Sequence, residues 1–331
     1  MKAKAVILRA LGGPEVLGLE YVDVPDPGPG EIRIRVKAFG LNRSEALFRE
    51  GRYMIKPAMP SRIGYEAAGI VESVGPGVEG FAVGDAVSTL PSMESNARGA
   101  YGELFTLPIN AAVKSHPGLT MVESAALWSS YMTAYGGLVD MGVVRPGDFV
   151  LVTAASSSLG PPAIQILKML GAHPIATTRQ RSKAEAVKQF GAEHVIVTDE
   201  EDLVERVREI TGGTGVACVF DPVGGPMVAK LADVTAPYGT IIIYGRLSRD
   251  PGEMPQTALI WKNLTIRGYG MLLHENPARD ARAIAYIRDG ISQGHLRPII
   301  AKKFRLDEIV EAARFLDSME QIGKVVVEVP G

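Results

Sequence analysis

The stretch that decides the fold joins a short apolar strand to a helix, and it reads Phe149-Val150-Leu151-Val152-Thr153-Ala154-Ala155-Ser156-Ser157-Ser158-Leu159-Gly160-Pro161-Pro162. A dinucleotide-binding turn needs small residues at positions i, i+2 and i+5, because the backbone must approach a pyrophosphate and the helix must pack closely against the strand. In that register the positions are Ala155, Ser157 and Gly160. Two of the three glycines of the usual pattern are absent, so an ordinary strand-to-helix turn fits this stretch as well.

The residues around this turn favour a phosphate. Pro161 suits the first turn of a helix, where its missing N–H would have no partner in any case. Unpaired N–H groups and the helix dipole attract an anion there, and the serine hydroxyls add hydrogen-bond donors. The candidate phosphate-binding residues are Ala155, Ser156, Ser157, Ser158, Leu159 and Gly160.

The pattern of the chain changes near residue 125. Before that point, short strands alternate with glycine- and proline-rich turns, which is typical of a small barrel or sandwich. Beyond it, apolar strands alternate with helices: strands at 149–153, 174–177, 194–197, 216–220 and 240–244, and helices at 163–170, 202–210 and 227–234. Repeated strand–helix units predict the α/β class, with a doubly wound parallel sheet covered by helices on both faces.

Length and composition restrict the function further. The chain has 331 residues, which favours two domains, and 35 basic against 37 acidic residues give a net charge of −2. This balance removes the electrostatic reason for binding nucleic acid or an anionic membrane. Cys218 is the only cysteine, which excludes an internal disulfide and any zinc site built on two cysteines. With no visible signal peptide or membrane-spanning run, we expect a cytoplasmic protein.

The segment after the second predicted strand distinguishes between coenzymes. A site for NAD carries an acidic residue about 20 residues beyond the phosphate turn, where it binds the ribose 2′-hydroxyl. Here that region has no acid and three cations, and its candidate residues for a 2′-phosphate are Thr178, Arg179, Arg181 and Lys183. This composition favours NADP over NAD, although a solvated basic turn would look the same.

Several motifs, in order along the chain, carry a family resemblance. They are Gly64-Tyr65-Glu66-Ala67-Ala68-Gly69, Phe81-Ala82-Val83-Gly84-Asp85, Arg145-Pro146-Gly147-Asp148, Phe220-Asp221-Pro222-Val223-Gly224-Gly225 and Gly323-Lys324-Val325-Val326-Val327. Together they resemble the medium-chain dehydrogenase/reductase superfamily over essentially the whole chain. The resemblance implies a discontinuous, β-rich GroES-like catalytic domain over residues 1–124 and 266–331. It also implies a Rossmann dinucleotide-binding domain over residues 125–265, inserted between those two parts.

The sequence departs from the zinc alcohol dehydrogenases of this superfamily. The positions that hold the catalytic zinc there correspond to Asn42, Tyr65 and approximately Ser129. Zinc needs thiolate, imidazole or carboxylate ligands, usually four, and Glu66 alone cannot supply them. The four-cysteine loop of those enzymes is replaced by residues 91–99, which contain no cysteine. We therefore expect no metal, and the similarity is to the zinc-free branch of quinone oxidoreductases and 2-enoyl reductases.

The resemblance implies hydride transfer from NADPH to an electron-poor acceptor, since no Lewis acid polarises an alcohol or a ketone. A quinone and an α,β-unsaturated carbonyl both qualify. Asn42 resembles the asparagine that lies beside the nicotinamide in this branch, and Tyr53 matches the tyrosine that gives a proton to the α-carbon or the enolate. Tyr65 is expected to line the acceptor pocket. The alternatives, a loop aromatic at Tyr53 and a core tyrosine at Tyr65, stay open.

Further coenzyme contacts are expected from the same resemblance and from the sheet. Thr133 resembles the family threonine on the nicotinamide side. Tyr244, Gly245 and Leu247 fall at the carboxyl end of a predicted parallel strand, which is where ligands bind in such sheets.

Two other functions remain possible. One is a zinc-type alcohol dehydrogenase with an atypical metal site, and the other is a non-catalytic NADPH-binding regulatory protein. Besides the small-molecule acceptor, the expected partner is a second copy of the chain. The predicted edge strand 264–267 would leave backbone groups exposed next to Trp261, and relatives pair this strand across a homodimer. Neither a membrane nor nucleic acid is expected as a partner.

Overall fold

The computed structural model describes residues 1–91, 98–271 and 276–330. The chain divides into two compact units. The first comprises the described residues of Met1–Ser129, Leu272–Asp280 and Pro298–Gly331, and the second comprises those of Ser130–Met271 and Ala281–Arg297. Residues 92–97 of the loop that replaces the four-cysteine loop lie outside the described residues.

The strands are numbered in chain order. They are β1 (Lys2–Leu8), β2 (Leu17–Asp23), β3 (Glu31–Gly40), β4 (Ser61–Arg62), β5 (Ala67–Val74), β6 (Ala86–Thr89), β7 (Leu104–Pro108), β8 (Ala112–Lys114), β9 (Phe149–Val152), β10 (His173–Thr178), β11 (His194–Val197), β12 (Val216–Asp221), β13 (Thr235–Ile243), β14 (Thr265–Gly268), β15 (Ile300–Arg305) and β16 (Lys324–Glu328).

The α-helices of the described residues are numbered in the same way. They are α1 (Arg43–Arg49), α2 (Met121–Ser124), α3 (Trp128–Tyr135), α4 (Gly160–Met169), α5 (Ala184–Gln189), α6 (Leu203–Ile210), α7 (Met227–Val234), α8 (Gln256–Lys262), α9 (Pro277–Ser292) and α10 (Ile309–Asp317). A π-helical turn, Gly136–Asp140, follows α3.

The first unit is built around β3, a long strand that is buried on both faces over much of its length. It pairs antiparallel with β5, and on its other side with β7 at one end and β16 at the other. The last strand of the chain therefore completes the sheet that the N-terminal residues begin. Helix α1 follows β3 directly, and its buried Arg49 donates to the Asp317 carboxylate at the end of α10, with a nitrogen-to-oxygen distance of 2.5 Å.

The second unit contains a six-stranded sheet in the order β11-β10-β9-β12-β13-β14, and every pair of neighbours is parallel. Counted from β9, this is the order 3-2-1-4-5-6 of a doubly wound nucleotide-binding sheet. The inner strands are nearly fully buried because helices cover both faces. The predicted α/β class, with its doubly wound parallel sheet, is confirmed.

The limits of the second unit differ from the predicted range 125–265. A boundary after residue 265 would divide β14, which lies wholly in the second sheet because it pairs with β13. Residues 125–129 belong to the first unit and residues 281–297 to the second. The predicted homodimer through the β14 edge, beside the exposed side chain of Trp261, stays a prediction. Within the described parts of the chain, no helix is both long and apolar enough to cross a bilayer.

Candidate functional site

The turn after β9 is compact. Ala154 has a left-handed backbone with a φ of 49°, and the next residue, Ala155, donates its N–H to the Thr177 carbonyl of the neighbouring strand at 2.9 Å. The N–H of Ser157 donates to the Ala154 carbonyl at 2.9 Å and closes the turn. The small residues that the sequence singled out therefore form the connection between β9 and α4.

Gly160 is required where this turn enters the helix. A Cβ at this position would overlap the carbonyl oxygen of Ala155, so any larger residue would separate the helix from the turn. Helix α4 begins at Gly160, three residues earlier than predicted. The reason is that Pro161 and Pro162 both lie in the first turn, where a helix needs no backbone donors.

Donors remain open at this end of the helix. Within the part of the chain that the structure describes, the backbone N–H groups of Ser156, Ser158 and Leu159 donate to no protein atom, and the hydroxyls of residues 156–158 have no partner. Helix α4 spans ten residues, so its dipole adds to these donors. Open N–H groups and hydroxyls at a helix N-terminus are the donors that a phosphate accepts from, and the predicted phosphate contacts stay a prediction.

The carboxyl ends of the two central strands are tied together beside this turn. The Thr153 hydroxyl, just after β9, donates to the buried Asp221 carboxylate at the end of β12, and the Gly224 N–H donates to the same carboxylate at 2.7 Å. Burial raises the pKa of Asp221 above its ordinary value. These strands meet at the point where the strand order reverses, which is where doubly wound sheets bind dinucleotides.

At this edge of the sheet, Tyr244 contributes a polar group that has no hydrogen-bond partner among the described residues. Its ring stacks on Phe220 with centroids 4.0 Å apart, and its hydroxyl is buried without a hydrogen bond among the described residues. The residue lies one position beyond β13 rather than at its predicted last position. Gly245 follows it, and Leu247 donates its N–H to the Pro222 carbonyl at 2.9 Å.

The basic turn after β10 is only partly available to a ligand. Thr178 ends the strand and is buried, and the side chain of Arg179 is exposed without a partner among the described residues. Arg181 is paired with Glu200, with nitrogen-to-oxygen distances of 2.6 and 2.9 Å. Lys183 is buried. No acidic residue follows β10 within this turn, so its chemistry fits a 2′-phosphate better than a free ribose hydroxyl.

Thr133, predicted on the nicotinamide side, lies in α3. Its hydroxyl donates to the Met271 sulfur at 3.6 Å.

The first unit contains a buried polar cluster around Glu66. The Lys324 ammonium, 2% exposed, donates to the fully buried Glu66 carboxylate at 2.5 Å and to the Asn42 side-chain oxygen at 2.6 Å. The Asn42 amide donates to the same carboxylate at 3.1 Å, and the Ser129 N–H donates to its other oxygen at 2.9 Å. Gly40 makes room, since a Cβ there would come within 2.7 Å of the lysine chain.

Glu45 is a second buried carboxylate in the same cluster. It accepts the Asn42 N–H at 2.8 Å, the Tyr65 N–H at 3.1 Å and the Tyr101 hydroxyl. Burial raises the pKa of Glu45 to about 7, against the opposing effect of these hydrogen bonds. The two carboxylates together fix the backbone at all three of the positions Asn42, Tyr65 and Ser129.

The two candidate tyrosines have different surroundings. The Tyr65 hydroxyl lies 2.7 Å from the Ser44 hydroxyl and 3.4 Å from that of Ser129. Tyr53 packs half-buried against the apolar core, and its hydroxyl has no partner among the described residues. Burial raises the pKa of both phenols. The structure thus joins Asn42 to Tyr65 in one network and leaves Tyr53 outside its hydrogen bonds.

Comparison with known proteins identifies the family. A family model described as the alcohol dehydrogenase GroES-like domain matches residues 28–117, and one described as zinc-binding dehydrogenase matches residues 158–285. The 2-haloacrylate reductase of a Burkholderia species is 33% identical over 98% of both chains. This chain belongs to the medium-chain dehydrogenase/reductase superfamily, in its zinc-free quinone oxidoreductase branch.

Solved structures of this superfamily share the whole fold. The quinone oxidoreductase of Escherichia coli, complexed with NADPH, is 30% identical, with a TM-score of 0.91 over 98% of this chain and 99% of that one. A structure described as an NAD-dependent alcohol dehydrogenase is 34% identical, with a TM-score of 0.91 over 99% of this chain and 100% of that one. The β-rich first unit is therefore the GroES-like domain, and the second is the Rossmann domain.

The residues at the zinc positions of this superfamily do not form a metal site here. An amide, a phenol and a serine are not zinc ligands of choice, and the Asn42 oxygen is occupied by the Lys324 ammonium. Among the described residues, no group of three histidine, cysteine, aspartate or glutamate side chains could hold a metal ion.

Four residues that hold the buried cluster and the strand ends in place have no role that the sequence alone reveals, and they are Lys324, Glu45, Tyr101 and Asp221. Asp221 ends an otherwise apolar strand, and Lys324 immediately precedes three buried valines, so each charged residue needs a buried partner. That signal was present, but their partners are distant in sequence.

Removing one member of the Lys324–Glu66 pair should destabilise the protein strongly. Lys324→Met or Glu66→Gln alone leaves an unpaired buried charge, which costs about 3–5 kcal/mol. The double variant should recover much of this loss, because no unpaired charge remains. Urea unfolding of the four proteins measures the free energies, and additive losses would contradict this account.

The stability that depends on Glu45 should fall as the pH rises. Because its pKa is raised from 4.5 to about 7 on folding, its contribution is complete below pH 4.5 and is lost as the pH passes 7. The unfolding free energy of the wild type, relative to Glu45→Gln, should fall by roughly 3 kcal/mol over that range. Urea titrations at pH 5 to 8 measure it, and a constant difference would show that Glu45 titrates normally.

Proposed function

We propose that this chain is an NADPH-dependent, zinc-independent reductase that transfers hydride to a quinone or to an α,β-unsaturated carbonyl. The observation that carries the proposal is that Asn42, Tyr65 and Ser129 stand where a metal-ligand set would be and are held by hydrogen bonds to the buried carboxylates of Glu45 and Glu66. Without a Lewis acid, the acceptor must already be electrophilic. Two relatives support this acceptor class, since one is named a quinone oxidoreductase and another a reductase of a haloacrylate, which has an activated C=C bond.

The second unit offers the hydrogen-bond donors and cations that a phosphorylated dinucleotide coenzyme needs. When bound, a reduced nicotinamide supplies the hydride. The open N–H groups of Ser156, Ser158 and Leu159 suit a pyrophosphate, and the unpartnered Tyr244 hydroxyl offers one more hydrogen bond. The remaining predicted contacts, at Ala155, Ser157, Gly160, Thr133, Gly245 and Leu247, belong to the proposal. Thr178, Arg179, Arg181 and Lys183 would take the 2′-phosphate.

In the first unit, Asn42, Tyr53 and Tyr65 are the proposed active-site residues. The Asn42 side-chain oxygen accepts from Lys324 and its nitrogen donates to Glu66, so the orientation of the amide is fixed. The nitrogen carries a second N–H, which can donate to a ligand. Tyr53 would protonate the α-carbon after hydride addition to a C=C bond. A phenol with a raised pKa can do this because an enolate is the stronger base.

The preference for NADPH depends on the exposed cations after β10. Arg179→Ala and Arg181→Ala should each weaken NADPH binding by roughly tenfold, through loss of a charge-assisted hydrogen bond, with NADH binding unchanged. Lys188→Ala removes an exposed cation of α5 and serves as the matched control. Nicotinamide fluorescence titrations measure the dissociation constants, and tighter binding of NADH by the wild type would contradict the assignment.

Tyr53 should matter for one acceptor class only. Tyr53→Phe should lower kcat with an enone by about 10² or more, because a positioned general acid is lost. Quinone reduction needs no proton on carbon and should change little. Steady-state assays with both acceptors test this, and equal losses would remove Tyr53 from the donor role.

An alcohol dehydrogenase is the second candidate, because a structural neighbour is described as one. Oxidation of primary alcohols with NAD, dependent on stoichiometric added zinc, would support it and overturn the proposed reductase.

A further inference from the structure

Three hydroxyl groups of the first unit form a chain. The Ser44 hydroxyl is 2.7 Å from that of Tyr65, and the Tyr65 hydroxyl is 3.4 Å from that of Ser129. A hydroxyl donates one hydrogen bond and accepts two, so each group can pass on a proton while it receives another. Among the described residues, Ser44 has no other hydrogen-bond partner for its side chain, which leaves that end open to a ligand or to water.

The two buried carboxylates hold the backbone of this chain in place, in addition to the hydrogen bonds between its hydroxyls. Glu45 accepts the Tyr65 N–H at 3.1 Å, and Glu66 accepts the Ser129 N–H at 2.9 Å. Ser44 lies in the first turn of α1, between Asn42 and Glu45, whose backbone and side chain are also bonded to each other. The hydroxyls are therefore preorganised, as donors to a developing charge must be.

Tyr65 is suited to giving a hydrogen bond. Burial raises its pKa well above 10, so that it keeps its proton at neutral pH. A neutral donor held in a buried site stabilises negative charge on a nearby oxygen far better than water does.

We propose that Ser44, Tyr65 and Ser129 form a hydroxyl relay that hydrogen-bonds the carbonyl oxygen of the acceptor and, where the acceptor is a quinone, delivers a proton to it. The inference rests on the proposed function. As a quinone gains a hydride, its carbonyl electron pair moves onto oxygen. The Tyr65 O–H bond breaks and an O–H bond forms on the quinone oxygen, Ser44 gives its proton to the Tyr65 oxygen, and a water gives a proton to Ser44 and leaves as hydroxide. With an enone the product needs a single proton, which Tyr53 places on the α-carbon, so Tyr65 keeps its proton and stabilises the enolate oxygen through its hydrogen bond.

In this relay Ser129 is a positioning residue that holds the Tyr65 hydroxyl from the far side. The Tyr65 hydroxyl acts on oxygen, as proton donor to a quinone and as hydrogen-bond donor to an enolate, so quinones and enones both need it. Tyr53 acts on carbon, so only the enones need it. This difference separates the two tyrosines experimentally.

The test compares Tyr65→Phe and Ser44→Ala with Tyr238→Phe, which removes a hydroxyl that is 79% exposed and serves as the matched control. Tyr65→Phe should lower kcat by about 10² with a quinone and an enone alike, with little change in KM. Ser44→Ala should lower kcat less. With the quinone it should also turn the curved proton inventory expected of the wild type, recorded in H2O and D2O mixtures, into a straight line. Tyr238→Phe should behave as the wild type.

A second readout requires no turnover. The infrared carbonyl stretch of a bound saturated ketone should lie at lower frequency in the wild type than in Tyr65→Phe, because the hydroxyl polarises the bond. Thermal midpoints of all variants establish that they fold.

The relay is overturned if Tyr65→Phe keeps its kcat and its carbonyl frequency, or if it loses activity with the enone alone. Failure of the wild type to reduce either acceptor with NADPH would instead overturn the proposed function. The carbonyl frequency would then still report whether the Tyr65 hydroxyl contacts a ketone.

Discussion

The ion pair between Lys324 and Glu66 is the constraint on which the first unit depends. Both groups are almost fully removed from water, so each is tolerated only because the other neutralises it and because further hydrogen bonds satisfy the remaining atoms. Lys324 begins the final strand and Glu66 precedes β5, so the pair connects the C-terminal segment to the N-terminal sheet. The same charges orient Asn42 and Ser129. The stability of the unit and the orientation of these two residues therefore depend on the same ion pair.

In the second unit the main constraint is the tight turn between β9 and α4. It brings the helix close to the strand, and several of its backbone N–H groups have no protein partner among the described residues. Gly160 allows the close approach because a Cβ would meet the Ala155 carbonyl. The two prolines that follow it occupy helical positions that would otherwise present further N–H groups. The donors left open among the described residues are those of the preceding turn, at Ser156, Ser158 and Leu159.

The replacement of metal ligands changes what the fold can do. A metal ion stabilises developing negative charge on oxygen with its own charge, whereas hydroxyls and an amide must do so through oriented hydrogen bonds. Such donors need a rigid support, and the buried carboxylates Glu45 and Glu66 supply it here. The pKa of Glu45 is raised because its burial disfavours the ionised carboxylate more strongly than the hydrogen bonds from its donors favour it.

The sequence by itself determined the α/β class, the small-residue turn between β9 and α4, and the residue types at positions 42, 65 and 129. These follow from local features: apolar strands of fixed length, small residues between a strand and a helix, and residue types that cannot bind zinc. Only the tertiary structure decided the partners of Lys324, Glu45 and Asp221, and the pairing of Arg181 with Glu200. It also decided that Tyr65, and not Tyr53, joins the buried network. The physical reason is that a buried charge selects its partner by distance in space, and the sequence places Lys324 258 residues from Glu66.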